Sequence, residues 1–115
     1  MRVKTEKRKA VIYCRVACAD QLTMDNQEKI TQDFADKEGY IVDKCYRDNG
    51  ESGATLNRPG MNKLLYDIRN GEVKTIIAKD FARFSRSLPL LREFTNVTKK
   101  HGVILETIND RDFEI

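Results

Sequence analysis

At 115 residues, with 40% hydrophobic and 34% charged side chains, the chain can build one compact domain with one core, but not two. That balance excludes a disordered chain, and its longest apolar runs (Ala10–Cys14 and Val103–Leu105) are far too short to span a membrane. A formal charge of +3 is too small to hold nucleic acid unaided, so any such affinity is expected to come mostly from elsewhere.

The chain opens on a basic tail over residues 1–8, with Arg2, Lys4, Lys7 and Arg8, and Lys9 following. The apolar stretch after it runs straight into Arg15, so it cannot serve as an export signal, and a cytoplasmic location is expected. Ala10–Val16 reads as a first strand, apolar at nearly every position and therefore central. Asp25-x-x-Glu28 resembles a capping box; with Ile30 and Phe34 one turn apart and Gly39 as a stop, it predicts a helix over 24–38. Tyr40–Tyr46 alternates and reads as a second strand nearer an edge, followed by a polar loop over 47–58. A loop of that length in so small a domain is expected to be functional and mobile.

Pro59 suits the first turn of a second helix, in which Met61, Leu64, Leu65 and Ile68 keep helical spacing as far as Gly71. Thr75–Lys79 is a third strand, apolar and central. Ser87 and Pro89 open a third helix over 87–101 with Leu91, Phe94 and Val97 or Thr98 on one side, and Val103–Ile108 is a fourth strand. The alternation of strand and helix calls for right-handed crossovers: an α/β domain of three layers, with a mainly parallel sheet of four to five strands and helices on both faces.

In such folds the site lies at the carboxyl ends of the strands. That rule selects Arg15–Gln21, Arg47–Arg58 and Asp80–Arg86, which between them hold Arg15, Arg58, Arg83 and Arg86 with Gln21, Ser52, Asp80 and Ser85. Any one of these arginines alone would read as a solvated surface charge. Four on converging loops suit a phosphate, because guanidinium groups are planar, permanently charged and bidentate. Gly50–Gly53 is no P-loop, since no G-K-[ST] follows it, and no dinucleotide fingerprint follows the first strand. A receiver-type magnesium site would want acidic residues where Arg15 stands. Cys14, Cys18 and Cys45 lack the spacing and partners of a zinc site, His101 being far away, and read as reduced thiols.

Tyr13-Cys14-Arg15-Val16-Ala17-Cys18-Ala19-Asp20-Gln21 with Gln27 resembles the opening motif of the serine recombinases (resolvases, invertases and large serine integrases). Tyr46-Arg47-Asp48-Asn49-Gly50-Glu51-Ser52-Gly53 with Asn57-Arg58-Pro59-Gly60 resembles their second motif, and Lys79-Asp80-Phe81-Ala82-Arg83-Phe84-Ser85-Arg86 their third. The form of the third looks most like the large recombinases of transposons and phage. The resemblance implies a resolvase-like, flavodoxin-like catalytic domain over residues 9–110, with 111–115 beginning a truncated extension. It implies attack of a serine oxygen on a scissile DNA phosphodiester, giving a 5′-phosphoserine linkage and strand exchange within a tetramer, without metal or nucleotide cofactor. Arg15, Arg58, Arg83 and Arg86 would then contact the phosphate, while Gln21, Gln27 and Ser52 would orient groups around it.

Two positions depart from the family pattern. The nucleophile lies two residues after the first-motif arginine, and here that residue is Ala17. The acidic residue usual before the third-motif arginine is replaced by Ala82, for which Asp80 is a displaced substitute. Cys18 is an alternative nucleophile, since a thiol beside arginines favours the thiolate. It is expected to face away from Ala17 if both lie on the strand. The chain is therefore expected to be an inactive recombinase catalytic domain, with a non-catalytic DNA-binding or regulatory interaction module as the alternative. An unrelated flavodoxin-like binding domain is disfavoured by the four arginines. Relatives continue into an assembly helix and DNA-binding domains, so this chain by itself is expected to be monomeric, and homo-oligomeric only in a longer context.

Overall fold

A computed structural model describes residues 8–110, so the expectations for the tail over 1–7 and the extension over 111–115 lie outside the described residues. Four strands alternate with three helices: β1 (Arg8–Val16), α1 (Gln21–Lys37), β2 (Tyr40–Asn49), α2 (Pro59–Arg69), β3 (Thr75–Ala78), α3 (Leu88–Lys100) and β4 (Ile104–Thr107), with a single 3-10 turn at Phe81–Arg83. The sheet is wholly parallel in the order β2-β1-β3-β4. As expected, β1 is central and β2 lies at an edge. None of the helices among the described residues is long and apolar enough to cross a membrane.

The order explains the layers. The β1-to-β2 crossover runs one way along the sheet and the next two run the other way, so right-handedness puts α1 on one face and α2 and α3 on the opposite one. The larger core, under α2 and α3, joins Val11, Tyr13, Ile76 and Ala78 to Met61, Leu64, Ile68, Leu91 and Phe94. The smaller one joins Ala10, Ile12 and Ile77 to Ala35 of α1. The direction reverses between β1 and β3, the switch point where doubly wound sheets open a crevice.

Several sequence-based boundaries shift, each for a local reason. Helix α1 begins at Gln21, not 24, because Asp20 is the N-cap: its carboxylate accepts from the amides of Leu22 and Thr23. The residues read as a capping box serve elsewhere. Asp25 accepts from the Gln21 side chain, and Glu28 takes a bidentate pair from Arg47 at 2.6 and 2.7 Å, which holds its carboxyl below the usual range. The buried stripe of α1 is Met24, Gln27, Thr31 and Ala35, leaving Ile30 about half exposed and Phe34 at the margin. Strand β2 extends three residues past Tyr46, because Arg47, Asp48 and Asn49 keep pairing with Cys14, Arg15 and Val16. A bulge near Asp43 absorbs one extra residue in β2 and restores that register. The loop expected over 47–58 is therefore confined to 50–58.

Candidate active site

Strand β1 outruns β3. Ile12 pairs with Ile77, so Arg15 lies beyond the end of β3 at Ala78, with no strand beside it on that side. Gln27 fills the gap: its Oε1 accepts from the Arg15 amide at 2.9 Å and its Nε2 donates to the Arg15 carbonyl at 3.1 Å. A buried glutamine on α1 thus substitutes for a strand. This is why a polar residue lies in the helix's inward stripe.

The Arg15 side chain is almost wholly buried, at 1% exposure, and threads between two loops. It donates to the carbonyls of Arg83 (2.8 Å), Glu51 (3.0 Å) and Ala82 (2.6 Å). Arg58, at 0% exposure, donates to the carbonyls of Thr55 (2.6 Å) and Phe84 (2.8 Å) and to the Tyr13 hydroxyl. Arg83 closes the cluster, giving one N–H to the Arg15 carbonyl at 2.8 Å and another to Asp80 at 3.0 Å. Arg86 is exposed and makes no hydrogen bond or ion pair among the described residues, yet it lies near enough to act on Arg15 electrostatically. The structure therefore gathers Arg15, Arg58 and Arg83 at one strand-end crevice, with Arg86 exposed on the turn that follows.

Their charges are unequally balanced. Arg58 has Asp48, 3.6 Å away and also buried. Arg15 has only carbonyl dipoles and no ion-pair partner among the described residues. Burial, reinforced by Arg83 and Arg58, lowers its pKa. Arg83 has Asp80 at 3.0 Å, so Arg15 is the buried guanidinium left without a carboxylate, and a buried cation in that state suits an anion.

Asp48 and Tyr13 were not singled out from the sequence. The Tyr13 hydroxyl donates to Asp48 at 2.6 Å and accepts from Arg58; burial and the Asp48 carboxylate push its pKa far up. Asp48 also accepts from the amides of Gly60 (2.7 Å) and Met61 (2.9 Å). It thereby caps α2 from a neighbouring strand, since the N-cap residue Arg58 offers no side-chain bond of its own. One signal was legible: Asp48 falls two residues after Tyr46, on the buried side of a strand, where a lone carboxylate needs partners. Phe84 stacks between Tyr13 and Phe94, with centroids 5.7 and 4.6 Å away, which anchors the turn carrying Arg83.

The remaining candidates are more loosely placed. Ala17 and Cys18 lie in the bend after β1, which ends at Val16, and both are exposed. The strand alternation expected to turn Cys18 away from Ala17 therefore does not operate. Gln21, exposed at the start of α1, bonds Asp25 and Asn49 rather than an arginine. Ser52 is exposed; its hydroxyl accepts from the Ala54 amide and its carbonyl takes a long contact (3.4 Å) from Arg58. No group of three or more metal-ligating side chains occurs among the described residues.

Gly60 is needed where it is. A methyl group there would meet the Arg47 carbonyl oxygen at 2.6 Å and Asp48 Oδ2 at 2.9 Å, neither of which can withdraw without unpairing β2 or α2. Gly60→Ala is expected to cost about 1–3 kcal/mol, the usual penalty for overpacking, measured by urea unfolding. Unchanged stability would show that the α2 cap is pliable.

Comparison with known proteins identifies the family and the fold. Residues 10–114 match the family model of the resolvase N-terminal domain. No curated protein sequence matches. Among solved structures, the N-terminal catalytic domain of TP901-1 integrase superposes with a TM-score of 0.83 at 31% identity, over 90% of this chain and 80% of that one. The C-terminal catalytic domain of ISC1926 TnpA, an IS607-like serine recombinase, gives 0.80 at 26% identity, over 89% and 70%. A serine recombinase from Sulfolobus solfataricus gives 0.76 at 29%, over 94% and 73%. With the family model spanning nearly the whole chain and the same fold in these relatives, the chain belongs to the resolvase family, as a serine recombinase catalytic domain.

Proposed function

We propose that Arg15, Arg58, Arg83 and Arg86 grip a scissile DNA phosphate, and that this chain binds it without cleaving because Ala17 stands where the attacking serine belongs. The observation that carries this reading is Arg15, a buried cation with carbonyl partners only, at the switch point of a doubly wound sheet. A phosphate oxygen supplies the missing charge, and charge-assisted bonds of this kind are about twice as strong as neutral ones. In a metal-free site the arginine cluster takes the role of electrostatic clamp. Gln27 is a positioning residue, since it holds the Arg15 backbone. Gln21 and Ser52, at the rim, meet groups beside the phosphate, and Asp80 holds Arg83. Cys18 shares the exposed bend with Ala17, so its thiol is the alternative nucleophile. In a longer context the domain works within a dimer or tetramer; by itself it is monomeric. A regulatory module that binds DNA without chemistry is the second reading, and the missing hydroxyl at position 17 favours it.

Titration of the chain with duplex DNA tests the phosphate site. Weak binding, on the order of 10⁻⁴–10⁻⁶ M at physiological salt, is expected, because contacts to phosphate alone carry no sequence information. Arg86→Ala should weaken binding for every duplex sequence and reduce the salt slope by about 0.9, one released counterion. If Arg83→Ala and Arg86→Ala both leave affinity and slope unchanged, the arginine cluster does not meet phosphate.

A further inference from the structure

The loop after β2 occupies the very donors that an incoming phosphate needs. Arg15 and Arg58 give N–H groups to the carbonyls of Glu51, Ser52 and Thr55 on that loop. Gly53 lies so close over Arg15 that a methyl group on it would stand 2.8 Å from one terminal nitrogen and 3.0 Å from the guanidinium carbon. The segment has defined ends. Gly50, at φ +82, turns the chain where the amides of Gly50 and Glu51 bond the Val16 carbonyl. At the far end Leu56 is buried in the larger core. Between them Ser52, Ala54 and Thr55 are exposed and contribute nothing to either core.

One side chain fastens this segment from across the crevice. The Ser85 hydroxyl, buried, donates to the Gly53 carbonyl at 2.9 Å and accepts from the Ser87 amide at 3.0 Å. The serine of the third motif thus ties the second motif down over the first.

We propose that Glu51–Thr55 is a lid, latched by Ser85, that keeps Arg15 and Arg58 occupied until phosphate displaces it. This rests on the phosphate reading above and adds to it a closed, self-occupied state. Carbonyl dipoles satisfy both guanidinium groups geometrically, but Arg15 has no carboxylate partner among the described residues, whereas Arg58 has Asp48 at 3.6 Å. A phosphate offers the same acceptor positions with a full negative charge, so exchange of ligands favours the open form once DNA is present. Arg15 and Arg58 keep their bonds to the carbonyls of Ala82, Arg83 and Phe84, at the 3-10 turn, throughout, so the cluster stays assembled while the lid moves.

Arginine-directed labelling with phenylglyoxal, read by peptide mass spectrometry, tests the lid without depending on DNA. In the unaltered chain Arg86 should label fast while Arg15 and Arg58 stay protected. Ser85→Ala should raise the labelling of Arg15 and Arg58 about tenfold, the factor that one net hydrogen bond is worth, and leave Arg86 unchanged. Gly53→Ala should act in the same direction by an independent route, its methyl group pushing the segment off Arg15. If Ser85→Ala fails to fold by circular dichroism, Gly53→Ala decides. Unchanged labelling in a folded variant overturns the lid. Duplex DNA added to Ser85→Ala should restore protection of both arginines. Raised labelling that DNA does not reverse supports the lid and overturns the phosphate reading on which it rests.

Discussion

Asp48→Ala is expected to lower the free energy of unfolding by about 3–5 kcal/mol, the cost of removing one partner of a buried ion pair. The side chains of Arg58 and Asp48 are 0% and 1% exposed, so water cannot take over the lost charge. The same substitution strips the acceptor from the amides of Gly60 and Met61 and from the Tyr13 hydroxyl, leaving three donors to find new partners. Tyr13→Phe is the milder control: it removes a hydroxyl between the two charges but leaves the carboxylate, and about 1–3 kcal/mol is expected. Chemical denaturation of both variants against the parent chain measures the difference. A loss under about 1 kcal/mol for Asp48→Ala would mean that the carbonyls of Thr55 and Phe84 hold Arg58 by themselves. The fold and the site would then be separable, contrary to what the shared side chains imply.

The second large effect concerns chemistry. Carried in a full-length recombinase, this sequence should bind its sites and form no covalent protein–DNA adduct, and Ala17→Ser should restore a 5′-phosphoserine linkage. The bend after β1 already exposes position 17, two residues beyond Arg15, so a hydroxyl placed there is accessible to DNA. The residues proposed as its clamp are all present, Arg15, Arg58 and Arg83 gathered at one crevice and Arg86 exposed beside it, with Gln27 fixing the Arg15 backbone. Each positioned donor contributes on the order of 2.7–4 kcal/mol to a transition state of this kind. The gain should therefore be from no detectable adduct to one readily seen by gel on a nicked suicide substrate. An adduct from the unmodified sequence that Cys18→Ala abolishes would make Cys18 the nucleophile. No adduct from Ala17→Ser in an assembled tetramer would mean that the site has lost more than one residue, and the regulatory module would become the better reading.

Helices α2 and α3, all four strands and the parallel order were legible in the sequence because each rests on local signals: apolar spacing, Pro59 and Ser87 at helix starts, glycines at helix ends. The three motifs lie at strand ends, where doubly wound folds place their sites, and the resemblance they carry points to the resolvase family to which the chain belongs. The start of α1 is not set by spacing, because two carboxylates, Asp20 and Asp25, are both chemically fit to open a helix and only Asp20 caps it. Their surroundings decide: Asp25 faces Gln21, and Glu28 is claimed by Arg47 from another strand. The extent of β2 likewise depended on pairing with β1, a contact between residues more than thirty positions apart.

What only the tertiary structure decided is the state of the arginines. As residue types, Arg15 and Arg58 read as exposed phosphate ligands, yet both are buried with their donors on main-chain carbonyls. No pattern of side chains announces a bond to a carbonyl, because every residue carries one, and which carbonyl is near is set by how the loops close. The same holds for Asp48, which serves β1, α2 and Arg58 together from a position on β2. The sequence by itself determined which elements form and which residues carry charge; the packing of three loops against one strand end determined which of those charges are open to solvent and which are held inside.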